Sequence, residues 1–123
     1  METNKPEIKD YEIIRQVLNA YVEGGKRGKS SIMKSGFHPQ AMMYGHLEGK
    51  LFGGPIQILF DFIDTNPPAQ NLRSEITKID VVGQIAQAKV ENYDWNGARY
   101  TDMFQLVKDG EEWKILVKEF HSH

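Results

Sequence analysis

The stretch RYTDMFQLVKDGEEWKILVKEFH, residues 99–121, contains two runs of alternating apolar and polar side chains joined by Asp109-Gly110. Asp-Gly between two such runs is a strong signal for a β-hairpin. Because successive side chains of a strand point to opposite faces, Tyr100, Asp102 and Phe104 share one face. The stretch therefore predicts a hairpin that carries a lone carboxylate on an apolar face.

Asp102 is the first candidate for chemistry in this sequence. Burial removes water from a carboxyl group and favours its protonated form, which can donate a hydrogen bond. A two-residue turn at Asp109-Gly110 places Asp102 opposite Val117, with Lys118 on the other face, whereas a one-residue bulge gives an Asp102–Lys118 ion pair. A purely structural acid, satisfied by a neighbour such as Lys118, Arg99 or Tyr21, is an equally open interpretation.

Size and composition narrow the possible classes of protein. The chain has 123 residues, which is typical of one domain, and we expect residues 1–123 to form it, with residues 1–7 loose. A net charge of -2 argues against a nucleic-acid or membrane partner. The sequence has no cysteine, which excludes disulfides and cysteine-bound zinc, and the absence of an apolar leader predicts a cytoplasmic location.

The first half of the chain predicts three helices and a small hairpin. Apolar residues recur at helical spacing from Ile8 to about Gly24, where glycines are expected to end the helix. Ser30 is expected to cap a short second helix reaching Ser35, and Gly53-Gly54-Pro55 is expected to open a third that stops at Asn66. Between them, strands are predicted at 41–47 and 50–52.

The second half predicts a four-stranded antiparallel meander. Turn signals at Gly83, Asn96-Gly97 and Asp109-Gly110 separate its extended segments. The predicted strands are 72–82, 85–95, 99–107 and 112–120. Three helices packed on a strongly bent, mainly antiparallel sheet give the α+β class. Several strands are apolar on both faces, so we also expect a homodimer that pairs through the sheet.

Other side chains are candidates for the same site. Tyr21 lies on the apolar stripe of the first helix, and a buried hydroxyl needs a partner. His46 is a candidate general base, although a lone histidine on a short strand is more often structural. The spacing of the histidines and carboxylates predicts no metal site, and no cofactor is expected. The candidate ligand-binding residues are Phe37, His38, Tyr44, Phe60, Tyr100, Phe104, Trp113 and His121.

The combination of these segments resembles the nuclear transport factor 2-like (NTF2-like) superfamily, and within it the lumazine-binding and SnoaL-like proteins. The resemblance covers residues 8–121. The residues that carry it are Tyr21, Phe37-His38-Pro39, Ala41, Gly53-Gly54-Pro55, Thr101-Asp102, Gly110, Trp113, Lys114, Ile115 and Phe120. The resemblance implies a cone-shaped, cystatin-like α+β domain whose bent sheet encloses an apolar pocket and pairs with a second copy.

Part of the ketosteroid isomerase pattern within that superfamily is present. The resemblance implies that Tyr21 and Asp102 occupy the positions of two hydrogen-bond donors to the substrate oxygen, and the same isomerase is the standard example of a carboxylic acid kept neutral by an apolar site. The position of the proton-shuttling carboxylate is Gly45 in this chain. The resemblance therefore implies two donors to a substrate oxygen, Tyr21 and Asp102. It implies no evident general base, unless His46, His38 or His121 takes that role.

Three functions follow from these observations. The first is a homodimeric small-molecule-binding protein, with a lumazine-like or pterin-like ligand implied only by the family name. The second is an acid–base enzyme without cofactor, an isomerase, dehydratase or cyclase acting on a small carbonyl compound. The third is an adaptor with a filled core. An open pocket with Asp102 at its wall argues against the third.

Overall fold

A computed structural model describes residues 7–123, in which two α-helices pack on one face of a six-stranded mixed sheet. Residues 1–6, most of the segment predicted to be loose, lie outside the described part. The helices are α1 (Ile8–Arg27) and α2 (Gln57–Thr65). The strands are β1 (Phe37–Leu47), β2 (Lys50–Pro55), β3 (Arg73–Val82), β4 (Ile85–Trp95), β5 (Ala98–Asp109) and β6 (Glu112–Ser122).

The sheet has the strand order β2-β1-β6-β5-β4-β3. Strands β3 to β6 form the predicted antiparallel meander. The β1–β2 hairpin joins this meander through a parallel pairing of β1 with β6. The α+β class is confirmed, and the parallel pairing adds two strands to the meander's edge.

Helix α1 runs past the glycines that were expected to stop it. It continues through Gly24 and Gly25 to Arg27 and is capped by Gly28, which has a left-handed φ of 67°. A Cβ atom at Gly25 would lie 2.6 Å from the Trp95 ring, and one at Gly24 would lie 2.7 Å from Met33. These two glycines therefore permit close packing inside the helix rather than ending it.

The predicted count of three helices is wrong, because the middle segment forms two 3₁₀ turns, Ser30–Ile32 and Lys34–Gly36. Ser30 does not cap a helix. Its backbone N–H and its hydroxyl donate to the Asp64 carboxylate of α2, at 2.9 and 2.8 Å. These hydrogen bonds lower the pKa of Asp64 and tie the turns to α2.

The β1–β2 hairpin is longer than the sequence predicts. Strand β1 begins at Phe37, which pairs with Ile115 of β6. The pairing register of β1 with β6 then shifts between Phe37 and Met42. Strand β2 extends to Pro55, which pairs with Met42, so α2 begins at Gln57 rather than at the proline. Backbone pairing with β1 therefore determines this boundary, against the usual preference of proline for a first helical position.

The two faces of the sheet differ. Both helices cover the inner face, where Val90, Phe104 and Ile115 are completely buried. The outer face carries no helix within residues 7–123, and Tyr44, Met103 and Leu116 are exposed. No helix in the same range is long and apolar enough to cross a membrane.

Candidate functional site

Tyr21 reaches the sheet from the buried stripe of α1. Ile14, Leu18 and Tyr21 follow one another at helical spacing and are all almost fully buried. The Tyr21 ring packs edge-on against Phe104, with centroids 5.3 Å apart. Its hydroxyl donates a 2.6 Å hydrogen bond to Oδ2 of Asp102. The two predicted residues, separated by 81 positions in sequence, are therefore in direct contact.

Asp102 is the acceptor in a chain of hydrogen bonds that crosses three strands. Its exposed fraction is 1%. Besides the tyrosine hydroxyl, Oδ2 accepts a 2.6 Å hydrogen bond from Nδ2 of Asn92 on β4. The Asn92 Oδ1 atom in turn accepts from the hydroxyl of Ser74 on β3, at 2.6 Å. Asp102 is thereby held in one orientation by Tyr21 on α1 and by Asn92 on the neighbouring strand of the sheet.

Lys118 lies on the same face as Asp102 because β6 contains a bulge. Pairing shifts by one residue at Leu116, so Asp102 lies opposite Phe120 and Lys118 lies opposite Phe104. The register that placed Asp102 opposite Val117 is wrong, and the alternative with an ion pair is correct. The Lys118 Nζ atom lies 3.5 Å from Asp102 Oδ1.

The second carboxylate oxygen is left without a hydrogen bond. Among residues 7–123, Asp102 Oδ1 is the buried side-chain atom that has no hydrogen-bond partner. Its neighbour is the Lys118 ammonium group, at ion-pair distance. Two donors on Oδ2 and a cation beside Oδ1 suit a carboxylate acceptor. The expectation that Asp102 is a protonated donor is therefore not supported by its contacts.

Burial also determines the protonation of the two tyrosines at this site. Loss of hydration, and then the neighbouring Asp102 charge, raise the pKa of the Tyr21 hydroxyl well above its ordinary value. The same two causes raise the pKa of Tyr100. Both hydroxyls therefore keep their protons at neutral pH.

These polar groups lie at the wall of a half-open pocket of about 140 Å³ between the inner face of the sheet and the two helices. Its polar lining comes from Tyr21, Tyr100, Asp102 and Lys118. The apolar lining consists of Met43, Leu47, Phe52, Ile58, Leu59, Phe62, Trp95 and Phe120. An apolar pocket with a few convergent polar groups is the usual form of a small-molecule site.

Three of the predicted site residues lie on the other side of the sheet. On β1, Met43 and Leu47 line the pocket, so Tyr44 and His46 point to the outer face. On β6, Phe120 lines the pocket and His121 is exposed on the opposite face. Neither His46 nor His121 can act as a base on a ligand beside Asp102.

The remaining predicted residues divide between the core and a second depression. Phe104 and Trp113 are buried, and the Trp113 indole donates a 3.0 Å hydrogen bond to Asp10. Phe37, His38 and Phe60 line a separate depression near the start of β1. Of the predicted ligand-binding set, only Tyr100 lines the pocket beside Asp102.

Gly45 shows why no carboxylate can stand at the isomerase position. A Cβ atom at Gly45 would lie 2.5 Å from both the Phe120 ring and the Phe120 carbonyl oxygen. Real Cβ atoms do not approach other atoms so closely. The Phe120 ring fills the space that a side chain at this position would need.

Sequence reasoning did not identify Asn92 or Ser74 as members of the site. Asn92 follows Ala86, Ala88 and Val90 on the buried face of β4, so the alternation of the strand was a usable signal. Ser74 gave no such signal. No group of three or more potential metal-ligating side chains occurs in the described range 7–123.

Comparison with known proteins places these observations in a family. A family model described as "Putative lumazine-binding" matches residues 9–121. The chain belongs to this family. Solved structures of NTF2-like proteins are also close to it, so the resemblance to the NTF2-like superfamily is confirmed.

Two of these structures cover nearly the whole chain. An NTF2-like protein of unknown function from Shewanella baltica is 40% identical, with a TM-score of 0.92 and 98% of each chain covered. Another from Methylobacillus flagellatus is 38% identical, with a TM-score of 0.94, and covers 100% of this chain and 99% of its own. Family and fold together support a small-molecule-binding domain.

One relative carries the name of an enzyme. Aldolase FrzH from a Cladobotryum species is 34% identical over 116 residues, which are 93% of this chain and 92% of that protein. The similarity therefore extends over most of the length of both proteins.

Proposed function

We propose that this protein binds a small, largely apolar molecule through one oxygen-bearing end, such as a carbonyl group, held at the Asp102–Lys118 wall of the pocket. The observation that carries this proposal is the convergence of Tyr21, Asp102 and Lys118 on one side of an otherwise apolar pocket. Buried polar groups of this kind fix the orientation of a ligand whose remainder is held by apolar contacts.

The hydrogen-bond pattern supports Lys118 as the group that contacts the ligand oxygen. The Tyr21 proton is committed to Asp102, so Tyr21 is not free to donate. Lys118 carries three N–H bonds, and Asp102 Oδ1 can take only one of them. Lys118 is therefore the principal donor toward a ligand oxygen, and the Tyr21–Asp102–Asn92 network fixes the position of its counter-charge.

The volume of the pocket limits the enclosed part of the ligand. At about 140 Å³, it resembles engineered apolar cavities of about 150 Å³ that hold benzene. One ring with its oxygen substituent fits inside. In a lumazine-like bicycle, as the family description suggests, the second ring would lie in the open mouth.

The test is the binding of a single-ring carbonyl compound, benzaldehyde, by the wild type and two matched variants. Asp102→Asn removes the charge at the pocket wall, whereas Asp10→Asn changes another buried acid far from the pocket. We expect Asp102→Asn to weaken binding in a titration followed by tryptophan fluorescence, because Trp95 lines the pocket. Equal weakening by both variants, or none by either, would place the ligand elsewhere.

A second candidate is an enzyme that performs aldol-type chemistry without a cofactor, and the similarity to Aldolase FrzH favours it. Asp102 is the acid–base group at the pocket, and Lys118 can stabilise a developing enolate oxygen. The probe reaction is the retro-aldol cleavage of 4-hydroxy-4-phenylbutan-2-one, followed by the appearance of benzaldehyde. Wild-type turnover that Asp102→Asn abolishes would support an enzyme, whereas binding without turnover supports a binding protein.

A homodimer through the outer face of the sheet is proposed as the assembly. Tyr44 and Met103 flank Glu119 on neighbouring strands of this face and are 41% and 50% exposed. Met103→Lys should convert the dimer to monomer in light scattering, and Ile8→Lys on α1, equally apolar and 79% exposed, should not. A monomeric wild type at micromolar concentration would refute the proposal.

A further inference from the structure

Lys118 differs from the other ion-paired lysines of the described chain in its burial. Its side chain is 6% exposed, whereas those of Lys114, Lys108 and Lys89 are 20%, 24% and 40% exposed. Its Nζ atom lies 4.8 Å from the centre of the Phe120 ring. The amine is thus held between an apolar wall and Asp102, and it lines the pocket.

A proton acceptor for this amine is already in place. Asp102 Oδ2 is occupied by the Tyr21 hydroxyl and the Asn92 amide, so Oδ1 is the oxygen that remains. Oδ1 lies 3.5 Å from Lys118 Nζ. Transfer of one ammonium proton to Oδ1 leaves a neutral amine, whose nitrogen lone pair can then attack a carbonyl carbon.

We propose that Lys118 is a nucleophile that condenses with the carbonyl carbon of an aldehyde or ketone bound in the pocket. This inference deepens the proposed function and rests on it. A lysine in an apolar pocket is the residue type that forms Schiff bases with carbonyl substrates.

Condensation of Lys118 with the carbonyl compound needs no reactant beyond these two groups and Asp102. After Asp102 Oδ1 takes one ammonium proton, the nitrogen lone pair attacks the carbonyl carbon, and the carbonyl π electrons move to its oxygen. A proton moves from nitrogen to that oxygen to give a carbinolamine. The C–O bond then breaks, Asp102 returns its proton to the departing oxygen, and one water molecule leaves with formation of the protonated C=N bond.

Asp102 has a further role once the imine exists. The protonated imine acidifies the hydrogen on the adjacent carbon, and the Asp102 carboxylate, restored by loss of water, lies beside the new nitrogen. It can accept that proton to give an enamine, which is a carbon nucleophile. The class of ligand is therefore an aldehyde or ketone with one ring or a short apolar chain, matched to the pocket volume of about 140 Å³.

The experiment traps the imine by reduction. Wild-type protein is incubated with benzaldehyde and sodium cyanoborohydride, whose hydride adds to the imine carbon and leaves a stable secondary amine. Intact mass should show one added benzyl group, and peptide mapping should place it on Lys118. Lys118→Arg, which keeps the charge, should lose this adduct, whereas Lys89→Arg on the outer face should retain it.

A parallel titration with benzyl alcohol, which cannot form an imine, tests the proposed function separately. If benzyl alcohol perturbs tryptophan fluorescence but no adduct forms on Lys118, the nucleophile is refuted and the binding pocket stands. Adducts spread evenly over exposed lysines refute it as well. If neither compound binds, both proposals fail. Peptide mapping of the wild type decides the question even if Lys118→Arg does not fold.

Discussion

Two clusters join α1 to the β5–β6 hairpin, and each contains a buried aspartate, a lysine and an aromatic donor. Near the start of α1, Asp10 accepts from the Trp113 indole at 3.0 Å and from Lys108 at 3.2 Å. Near its end, Asp102 accepts from Tyr21 and faces Lys118. The same three chemical types therefore recur at both ends of one helix.

The clusters differ in how completely the carboxylate is satisfied. In the first, Asp10 Oδ1 has two donors and Oδ2 accepts from the backbone N–H of Glu7, at 3.3 Å. In the second, Asp102 Oδ1 has an ion-pair partner but no hydrogen bond among residues 7–123. Only the second cluster opens into the pocket. The carboxylate of Asp10 therefore has a complete set of hydrogen bonds, whereas that of Asp102 keeps one oxygen available to the ligand of the proposed function.

Removal of the lysine from each cluster should give the largest contrast. Lys118→Met leaves the Asp102 charge buried without its cation and should lower the free energy of unfolding by about 3–5 kcal/mol. Lys108→Met should cost about 1–2 kcal/mol, because Trp113 and Glu7 still donate to Asp10. Urea denaturation measures both.

The double variant Asp102→Asn/Lys118→Met is the control for this contrast. It removes both charges and should recover most of the stability lost in Lys118→Met, because a neutral pair has no uncompensated buried charge. Equal losses of unfolding free energy in Lys118→Met and Lys108→Met would show that the two clusters do not differ energetically.

Closing the pocket should have the next largest effect. Gly45→Ala places a Cβ atom against Phe120 and should cost about 1–3 kcal/mol by overpacking. Displacement of the Phe120 ring toward the pocket should also weaken benzaldehyde binding. Gly49→Ala meets no neighbouring atom, but its left-handed φ of 79° strains an alanine, so this variant tests for a loss of stability without a clash and should leave binding unchanged. Unchanged binding in Gly45→Ala would show that Phe120 does not shape the ligand site.

Loss of the tyrosine hydroxyl should have a smaller effect. Tyr21→Phe keeps the ring but removes one of the two donors to Asp102 Oδ2, and it should cost about 1–2 kcal/mol. Tyr100→Phe removes a half-buried hydroxyl from the same pocket and should change stability by less than about 0.5 kcal/mol. Thermal denaturation of the three proteins gives the comparison. An unchanged stability in Tyr21→Phe would mean that the Asn92 hydrogen bond alone satisfies Asp102 Oδ2.

The pH dependence of Tyr21 has a definite sign. The folded protein raises the pKa of the Tyr21 hydroxyl, so unfolded chains release this proton at a lower pH than folded ones do. The stabilisation is present below the ordinary tyrosine pKa of about 10 and is lost as pH rises above it. Tyr21→Phe should therefore lose less stability between neutral and strongly alkaline pH than the wild type.

The smallest effect is expected at the acid end. The Trp113 hydrogen bond, above all, lowers the pKa of Asp10 in the folded state. Asp10 therefore stabilises the fold above the ordinary carboxyl pKa of about 3.9, and this stabilisation is lost as pH falls further. Stability measured by urea denaturation from pH 6 to pH 2 should fall less steeply in Asp10→Asn. If stability falls with pH equally in the wild type and in Asp10→Asn, protonation of Asp10 does not contribute to acid unfolding.

Much of the fold could be predicted because it is local in sequence. The β5–β6 hairpin, the meander and the stripe of α1 follow from alternation, turn residues and helical spacing. The parallel pairing of β1 with β6 could not be read in this way, because it joins segments more than 70 positions apart. The 3₁₀ turns were also missed, since Ser30 finds its partner in Asp64 rather than in its own helix.

The site was only partly predictable for the same reason. The resemblance placed Tyr21 and Asp102 together as two donors to a substrate oxygen, whereas the direct hydrogen bond from Tyr21 to Asp102 was only one of the open alternatives. His46 and His121 were chosen by residue type, and strand alternation then placed them on the outer face. Trp113 is a candidate ligand-binding residue by its aromatic residue type, yet its indole donates to Asp10.

Alternation along β5 and helical spacing along α1 are enough to place Asp102 on an apolar strand face and Tyr21 on the apolar stripe of a helix. Local periodicity specifies which side chains share a face, and this information is present in neighbouring residues. The position of Lys118 beside them depends instead on strand pairing, because a single bulged residue at Leu116 reverses the face of every residue beyond it. That one-residue shift determines whether the pocket contains an amine.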